Sequence, residues 1–306
     1  MKKLFLLILL IIGACYLADA QNKAVFSQYH ISPVLINPAA AGFFEQHQVQ
    51  FHARAQWTGF QDAPRTIGAQ YNGPIGNTFG LGAGIYTEQA AALTELRAVL
   101  NYAFRFDLSD AVKLSAGFST EYFQQTLSNS VTENNFYDPS DNLVNEALEG
   151  RNTIDASIGV FGTINENTYA GLAFVNLVGT RLYNISSDAD GSFFTRYTFL
   201  LGHRFDVSDL GFTLEPSLMM RQTQESPFMV DFNVKAGFLE DQLIAGLSYR
   251  TLGFLGVMLG TRLSNFHLYY TYDASFQRFQ RYNSGTHEVT VAMHFNRKDK
   301  RNPYVR

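Results

Sequence analysis

Between residues 49 and 295 the chain alternates apolar and polar positions with a period of two, and no helical period competes over a comparable length. In Val49–Thr58, the residues Val49, Phe51, Ala53, Ala55 and Trp57 alternate with Gln50, His52, Arg54, Gln56 and Thr58. A strand throws successive side chains to opposite faces, so this segment has one apolar face and one polar, partly charged face. The same rule holds in Leu96–Phe106, Val112–Tyr122, Tyr197–Leu201, Phe212–Met220, Val230–Phe238 and Val289–Phe295. Less regular runs lie near Thr66–Asn72, Phe79–Glu88, Ile154–Thr163, Tyr169–Asn176, Leu243–Thr251, Leu255–Arg262 and Phe266–Ala274. Together they predict about fourteen strands.

The connections alternate as well. Short turns rich in Asn, Asp, Ser and Gly occur at Asn72–Asn77, Asp107–Asp110, Asn165–Asn167, Asp206–Asp209, Glu240–Asp241 and Ser264–Asn265. Longer segments, notably Thr126–Thr153, Leu177–Thr195 and Ser275–Thr286, lie between them. A meander with short turns on one side and long loops on the other predicts an all-β fold: a transmembrane antiparallel β-barrel of about fourteen strands, with short periplasmic turns and longer extracellular loops. Both chain ends are then expected on the periplasmic side. A soluble sandwich also alternates, but it would carry more surface Lys and Glu than this chain does. Trp57, Tyr102, Phe106, Tyr122 and Phe205, near strand ends, suit the aromatic girdles of an outer-membrane barrel.

The two ends read differently. Lys2 and Lys3, the apolar run Leu4–Ile12 and the A-x-A site at Ala18-Asp19-Ala20 form a secretory signal peptide, residues 1–20. Cys15, the only cysteine, reads either as a lipidation site or as part of the discarded peptide, and the well-formed A-x-A site favours the second. Residues 21–48 form an N-terminal periplasmic or lumenal segment, whose Phe26, Tyr29, Leu35 and Ile36 need burial somewhere. The barrel is expected over 49–295. Residues 296–306, with Arg297, Lys298, Lys300 and Arg301, make a basic periplasmic tail.

Composition agrees with an envelope protein. Only 16% of the 306 residues are charged, against about 25% in a typical soluble chain. The mean hydropathy of -0.08 is too polar for a bundle of membrane helices. A formal net charge of -4 gives no reason to expect nucleic acid as a partner.

No arrangement of residues singles out catalysis. The seven histidines include no His–Glu–His helical pattern for zinc, and neither a nucleophile elbow nor a P-loop is present. Gly80-Leu81-Gly82-Ala83-Gly84 lacks phosphate-loop spacing and reads as strand glycines that allow close packing in a curved sheet. Asp188-Ala189-Asp190-Gly191 lacks the remaining ligands of a calcium loop. The chain is therefore read as non-enzymatic, with no catalytic residues, no metal and no cofactor. Charges do fall on the expected inward face, where Arg54, Arg97, Arg105, Glu121, Arg196, Glu215, Arg221, Asp231, Lys235 and Arg262 would line a lumen, joined by Glu95, Arg250 and Asp273. Their mixed sign argues against a strongly ion-selective pore.

Several motifs resemble the PorP/SprF family. The N-terminal stretch carries Gln28, Tyr29, Asn37, Pro38 and Gly42 within Phe26-Ser27-Gln28-Tyr29 and Asn37-Pro38-Ala39-Ala40-Ala41-Gly42. Arg54-Ala55-Gln56-Trp57-Thr58-Gly59-Phe60, followed by Ala63-Pro64-Arg65-Thr66, is similar to the family's R-x-Q-W-x-G…A-P-x-T stretch. Tyr270-Thr271-Tyr272-Asp273 and Gly285-Thr286-His287-Glu288 resemble its Y-x-Y-D and G-S-H-E signatures, with Thr286 where Ser is usual.

The resemblance implies a Bacteroidetes outer-membrane protein of the type IX secretion system. It implies a role in secreting or anchoring surface proteins such as gliding adhesins, recognised through a C-terminal sorting domain. Expected partners are outer-membrane lipid, such a secreted surface protein and type IX components in the periplasm. The alternative from the residues alone is an outer-membrane channel or transporter for a small solute.

Overall fold

A computed structural model describes residues 27–128, 131–132, 138, 140–178, 180–181, 196–207, 211–223, 226–251, 253–276 and 283–296. The signal peptide with Cys15, the Asp188–Gly191 turn and the basic tail beyond Asn296 lie outside them. Among the described residues fourteen antiparallel strands form one closed sheet, besides the two-residue strand Thr180–Arg181, which pairs with Ile154 and Thr153. They are β1 (Gln46–Ala55), β2 (Arg65–Ile75), β3 (Phe79–Ala90), β4 (Leu93–Asp107), β5 (Val112–Leu127), β6 (Arg151–Ile164) and β7 (Thr168–Phe174). There follow β8 (Tyr197–His203, resumed after Arg204 as Phe205–Val207), β9 (Phe212–Thr223), β10 (Ser226–Phe238), β11 (Leu243–Arg250), β12 (Phe254–Leu263), β13 (Phe266–Ser275) and β14 (Thr286–Asn296). Each strand pairs with its sequence neighbours, and β1 pairs with β14 from Gln46↔Asn296 to Ala55↔His287, which shuts the cylinder.

The sheet is inside out relative to a soluble protein. Along β1, Gln50 and His52 point inward and are 1% and 2% exposed, whereas Phe51 between them is 53% exposed. Ile67, Ile85, Leu100, Phe118, Leu259 and Phe266 repeat this around the wall. So continuous an apolar exterior is unsustainable in water and fits the hydrocarbon of a membrane.

The six short connections gather at one end, here the turn end. At Asn165 and Glu166, φ values of 51° and 60° build a tight hairpin whose twist matches the flanking strands. The opposite, loop end is less uniform than expected. Ala91–Ala92 joins β3 to β4 directly, and β9–β10 and β11–β12 are also joined briefly, so the long loops are confined to four connections. A short helix, α1 (Asn142–Glu149), precedes β6.

Strand height varies too. At about 3.3 Å per residue, the sixteen residues of β5 reach about 53 Å and the seven of β7 about 23 Å. The β4–β6 wall therefore stands above the rest of the rim.

Strand boundaries differ from the periodicity reading, most clearly in β1 and β2. β1 starts at Gln46 rather than Val49, because His47 and Gln48 still pair with Phe295 and His294. It stops at Ala55, since Trp57 adopts a positive φ of 46° that turns the chain away. The turn expected at Asn72–Asn77 shrinks, because Asn72 and Gly73 remain paired with Gly82 and Leu81.

Candidate functional site

The chain ahead of β1 occupies the lumen. At the loop end, the Ser27 backbone N–H donates to Glu288 Oε2 (2.9 Å), and its Oγ donates to Asp273 Oδ2 (2.6 Å). Gln28 Nε2 donates to Thr271 Oγ1 (3.1 Å), Asn233 Nδ2 donates to the Tyr29 hydroxyl, and Gln70 Nε2 donates to Ser32 Oγ (2.8 Å). Two 3-10 turns follow, Pro33–Leu35 and Pro38–Ala40. Asn37 caps the second by accepting from the Ala39 N–H (3.0 Å), while its Nδ2 donates to the Val160 carbonyl (2.9 Å). At the turn end, the Gly42 N–H donates to Asn72 Oδ1 (2.7 Å), and Arg105 Nη1 donates to the Gly42 carbonyl (2.8 Å).

The segment thus crosses the cylinder lengthwise, from Ser27 at the loop end to Glu45 at the turn end. Of the two placements expected for residues 21–48, periplasmic or lumenal, the described part from Ser27 onward lies in the lumen. The cause is the pairing of Ser27 with carboxylates that lie near the loop ends of β13 and β14.

An apolar plug is held inside a mostly polar wall. Tyr29, Val34, Ala39, Ala40, Ala41 and Phe43 pack with inward Ala103, Phe161, Leu200, Met219 and Met229. Phe43 meets Phe161 edge-on at 4.9 Å. His30 is enclosed, with its Nε2 3.3 Å from Met258 Sδ.

The strand glycines receive this plug. A Cβ on Gly80 would lie 1.8 Å from the Ala41 carbonyl oxygen, and one on Gly117 would lie 2.3 Å from the Ala39 nitrogen. Gly159 and Gly171 face the Asn37 amide in the same way. Backbone cannot retreat as a flexible side chain can, so overpacking here costs at least about 1–3 kcal/mol. Gly80→Val and Gly117→Val should each loosen the plug, seen as faster proteolysis within Ser27–Glu45 while the sheet's circular dichroism is unchanged.

A buried ion cluster ties the plug to the closing seam. Arg54 Nη1 lies 2.7 Å from Glu288 Oε2 and donates to Ser27 Oγ (2.8 Å), and Arg54 Nη2 lies 3.7 Å from Asp273 Oδ2. All three charged side chains are at most 7% exposed. Four chain segments therefore converge here: the plug, β1, β13 and β14.

The other inward charges form separate groups. Lys235 pairs with Glu215 (2.8 Å), which also accepts from the Tyr169 hydroxyl (3.0 Å). Arg250 pairs with Asp231 (3.2 Å), and Arg262 reaches Asp241 (3.4 Å) and Tyr269. Arg196 donates to the Asn176 carbonyl (3.2 Å) at the loop end. Arg97 lies 4.8 Å over the Tyr86 ring and 4.0 Å from Glu121, and Arg221 lies across the same cavity. Sequence reasoning missed Gln50, Gln70, Asn72, Tyr86 and Asn233 as plug partners or their supports. Their inward parity was available; their contact with a segment far away in sequence was not.

The model of the type IX secretion system membrane protein family PorP/SprF matches residues 18–293. The chain belongs to the PorP/SprF family. No curated protein matches it. Among solved structures, the TodX deltaS2S3 mutant monoaromatic hydrocarbon channel has a TM-score of 0.53 at 10% identity, covering 92% of this chain and 98% of that one. The CymD monoaromatic hydrocarbon channel gives 0.49 at 12% identity, covering 91% and 93%. Omp33 of Acinetobacter baumannii gives 0.47 at 7% identity, covering 83% and 99%. The likeness is one of fold. Family and barrel together make this PorP/SprF protein an outer-membrane component of the type IX secretion system.

The positions that carry the PorP/SprF resemblance divide between two faces. Gln28, Tyr29, Asn37, Pro38 and Gly42 are in the plug, and Arg54, Asp273 and Glu288 meet in the buried cluster. Tyr270, Tyr272 and His287 face outward near the loop end, where Tyr270 Oη and His287 Nδ1 are 2.7 Å apart. Gly285 takes φ 86°, and a Cβ there would strike Tyr272. Gln56, Trp57, Gly59 and Pro64 build the first loop. In it, the Gln56 N–H donates to the Pro64 carbonyl (2.9 Å), the Trp57 N–H to Thr286 Oγ1 (3.3 Å) and the Thr58 N–H to the Gly285 carbonyl (2.9 Å). The first and last loops are thereby stitched together above the seam.

Proposed function

We propose that this PorP/SprF protein is a plugged, non-enzymatic outer-membrane platform that holds an exported surface protein through its loop end. The observation that carries the reading is the plug: Tyr29, Ala39 and Ala41, inside the lumen, are 0% exposed. A barrel filled along its length by its own chain suits binding better than flow. The family's place in type IX secretion supports a partner that is itself a type IX substrate, with its C-terminal sorting domain as the part recognised. The turn end faces the periplasm and is where other components of the system would engage.

The test is a gene deletion combined with photo-crosslinking from loop positions such as Phe60 and Asp62. The expected result is one type IX substrate lost from the surface and captured on those loops. Unchanged secretion and attachment of every type IX substrate would overturn the proposal. Solute transport, the competing reading, requires steady conductance from the intact protein.

A further inference from the structure

Beside the plug, on the tall β4–β6 side of the lumen, lies a cavity of about 120 Å³ bounded by β3–β6, β8 and β9 and by Ile36 and Asn37 of the plug. Part of its polar lining has no partner among the described residues. The Arg221 guanidinium forms no hydrogen bond or ion pair with any described residue. Its charged neighbours are the guanidinium groups of Arg97 and Arg250. Arg250 already has Asp231 as its partner, and Arg97 has Glu121. Asp155, on the far wall, has its oxygens taken by the N–H groups of Ala156 and Val178 and by the Asn176 amide. Asn101, Ser119 and Thr198 also line the space, are at most 6% exposed, and make no side-chain hydrogen bond to a described residue.

A semi-enclosed guanidinium with like charges for neighbours is costly unless an anion joins it. Arginine's planar fork matches a carboxylate two bonds at a time. The amide and two hydroxyls supply further donors in the same space. The volume admits one such group and not a nucleotide or sugar chain.

We propose that this cavity binds a single carboxylate group, held by Arg221 with Asn101, Ser119 and Thr198 as accessory donors. The carboxylate is either a free small acid or one carried at the end of a peptide that enters from the loop end. The site is independent of the partner-holding role, and its failure would leave that reading standing.

The test is isothermal titration of the full-length purified barrel with acetate, triglycine, triglycine amide and inorganic phosphate. Acetate and triglycine should bind, triglycine amide should not, and Arg221→Met should weaken both at least tenfold while Arg221→Lys retains part of the affinity. Because Arg221 has no partner among the described residues, Arg221→Met should fold with an unchanged or raised thermal midpoint, which separates lost binding from lost structure. Acetate binding without triglycine would assign the site to free acids, and binding of both would assign it to chain-borne carboxylates as well. No carboxylate binding, binding of phosphate alone, or binding undiminished in Arg221→Met would overturn the proposal.

Discussion

Removing Ser27–Gly42 should convert a silent barrel into a conducting one. The segment is the only described part of the chain that crosses the lumen, and its neighbours come from β1–β10 and β12–β14. Without it, inward Phe161, Leu200, Met219 and Met229 would face water, and the polar groups of Gln70, Asn72 and Asn233 would lose their plug contacts. A fourteen-stranded cylinder has room for a water-filled passage once nothing occupies it. In planar bilayers the intact protein should show no resolvable steps and the deletion discrete ones. Should the deletion fail to insert, Gly80→Val with Gly117→Val tests the same point by pushing the plug off the wall. Conductance in the intact protein equal to that of either variant would refute it.

Arg54→Ala should be among the most destabilising single changes in the molecule. It strands Glu288 and Asp273, which are 1% and 4% exposed, without a counter-charge, and removes a donor to Ser27 Oγ. Breaking a buried pair by deleting one partner costs about 3–5 kcal/mol. The expected readout is a large fall in the urea midpoint of the folded barrel, together with easier proteolysis of the plug. Replacing all three charges, as Arg54→Met, Asp273→Leu and Glu288→Met together, should recover much of the loss, because no isolated ion then remains. A triple variant as unstable as Arg54→Ala would show that shape rather than charge dominates the cluster.

The barrel was legible because lipid and lumen impose opposite demands on adjacent residues. Phe51 must be apolar and His52 can be polar, so β1 spells its fold in period two. The strands that read poorly are those that touch the plug. In β6, Val160 faces outward and Phe161 faces the plug, so both are apolar and the alternation disappears. In β3 the inward Gly80 and Gly82 lack side chains where the plug presses at Ala41 and Val34, and Gly84 leaves room for the ring of inward Tyr86. The repeat of glycines was visible, but only the missing neighbour explains its first two members.

The cluster was hidden for a related reason. Ser27 and Glu288 are separated by 261 positions, and no local pattern couples them. Family resemblance marked Arg54, Asp273 and Glu288 as notable without showing that they touch. Resemblance likewise could not tell that Tyr270 and Tyr272 face the opposite way from Asp273, although parity within the strand does.

The route of the chain through its own cylinder also constrains how the molecule is made. A sheet already shut between β1 and β14 would have to be threaded by a segment tethered to β1, passing backwards along the lumen. It is simpler for the segment to settle onto an open, curved sheet and for the two outer strands to meet over it. Ser27, Arg54, Asp273 and Glu288 stand where that meeting ends, so stopper and zip would set in a single event. Biogenesis would then deliver either a sealed cylinder or an unfinished sheet, and never an empty pore that leaks across the membrane while it waits for its plug.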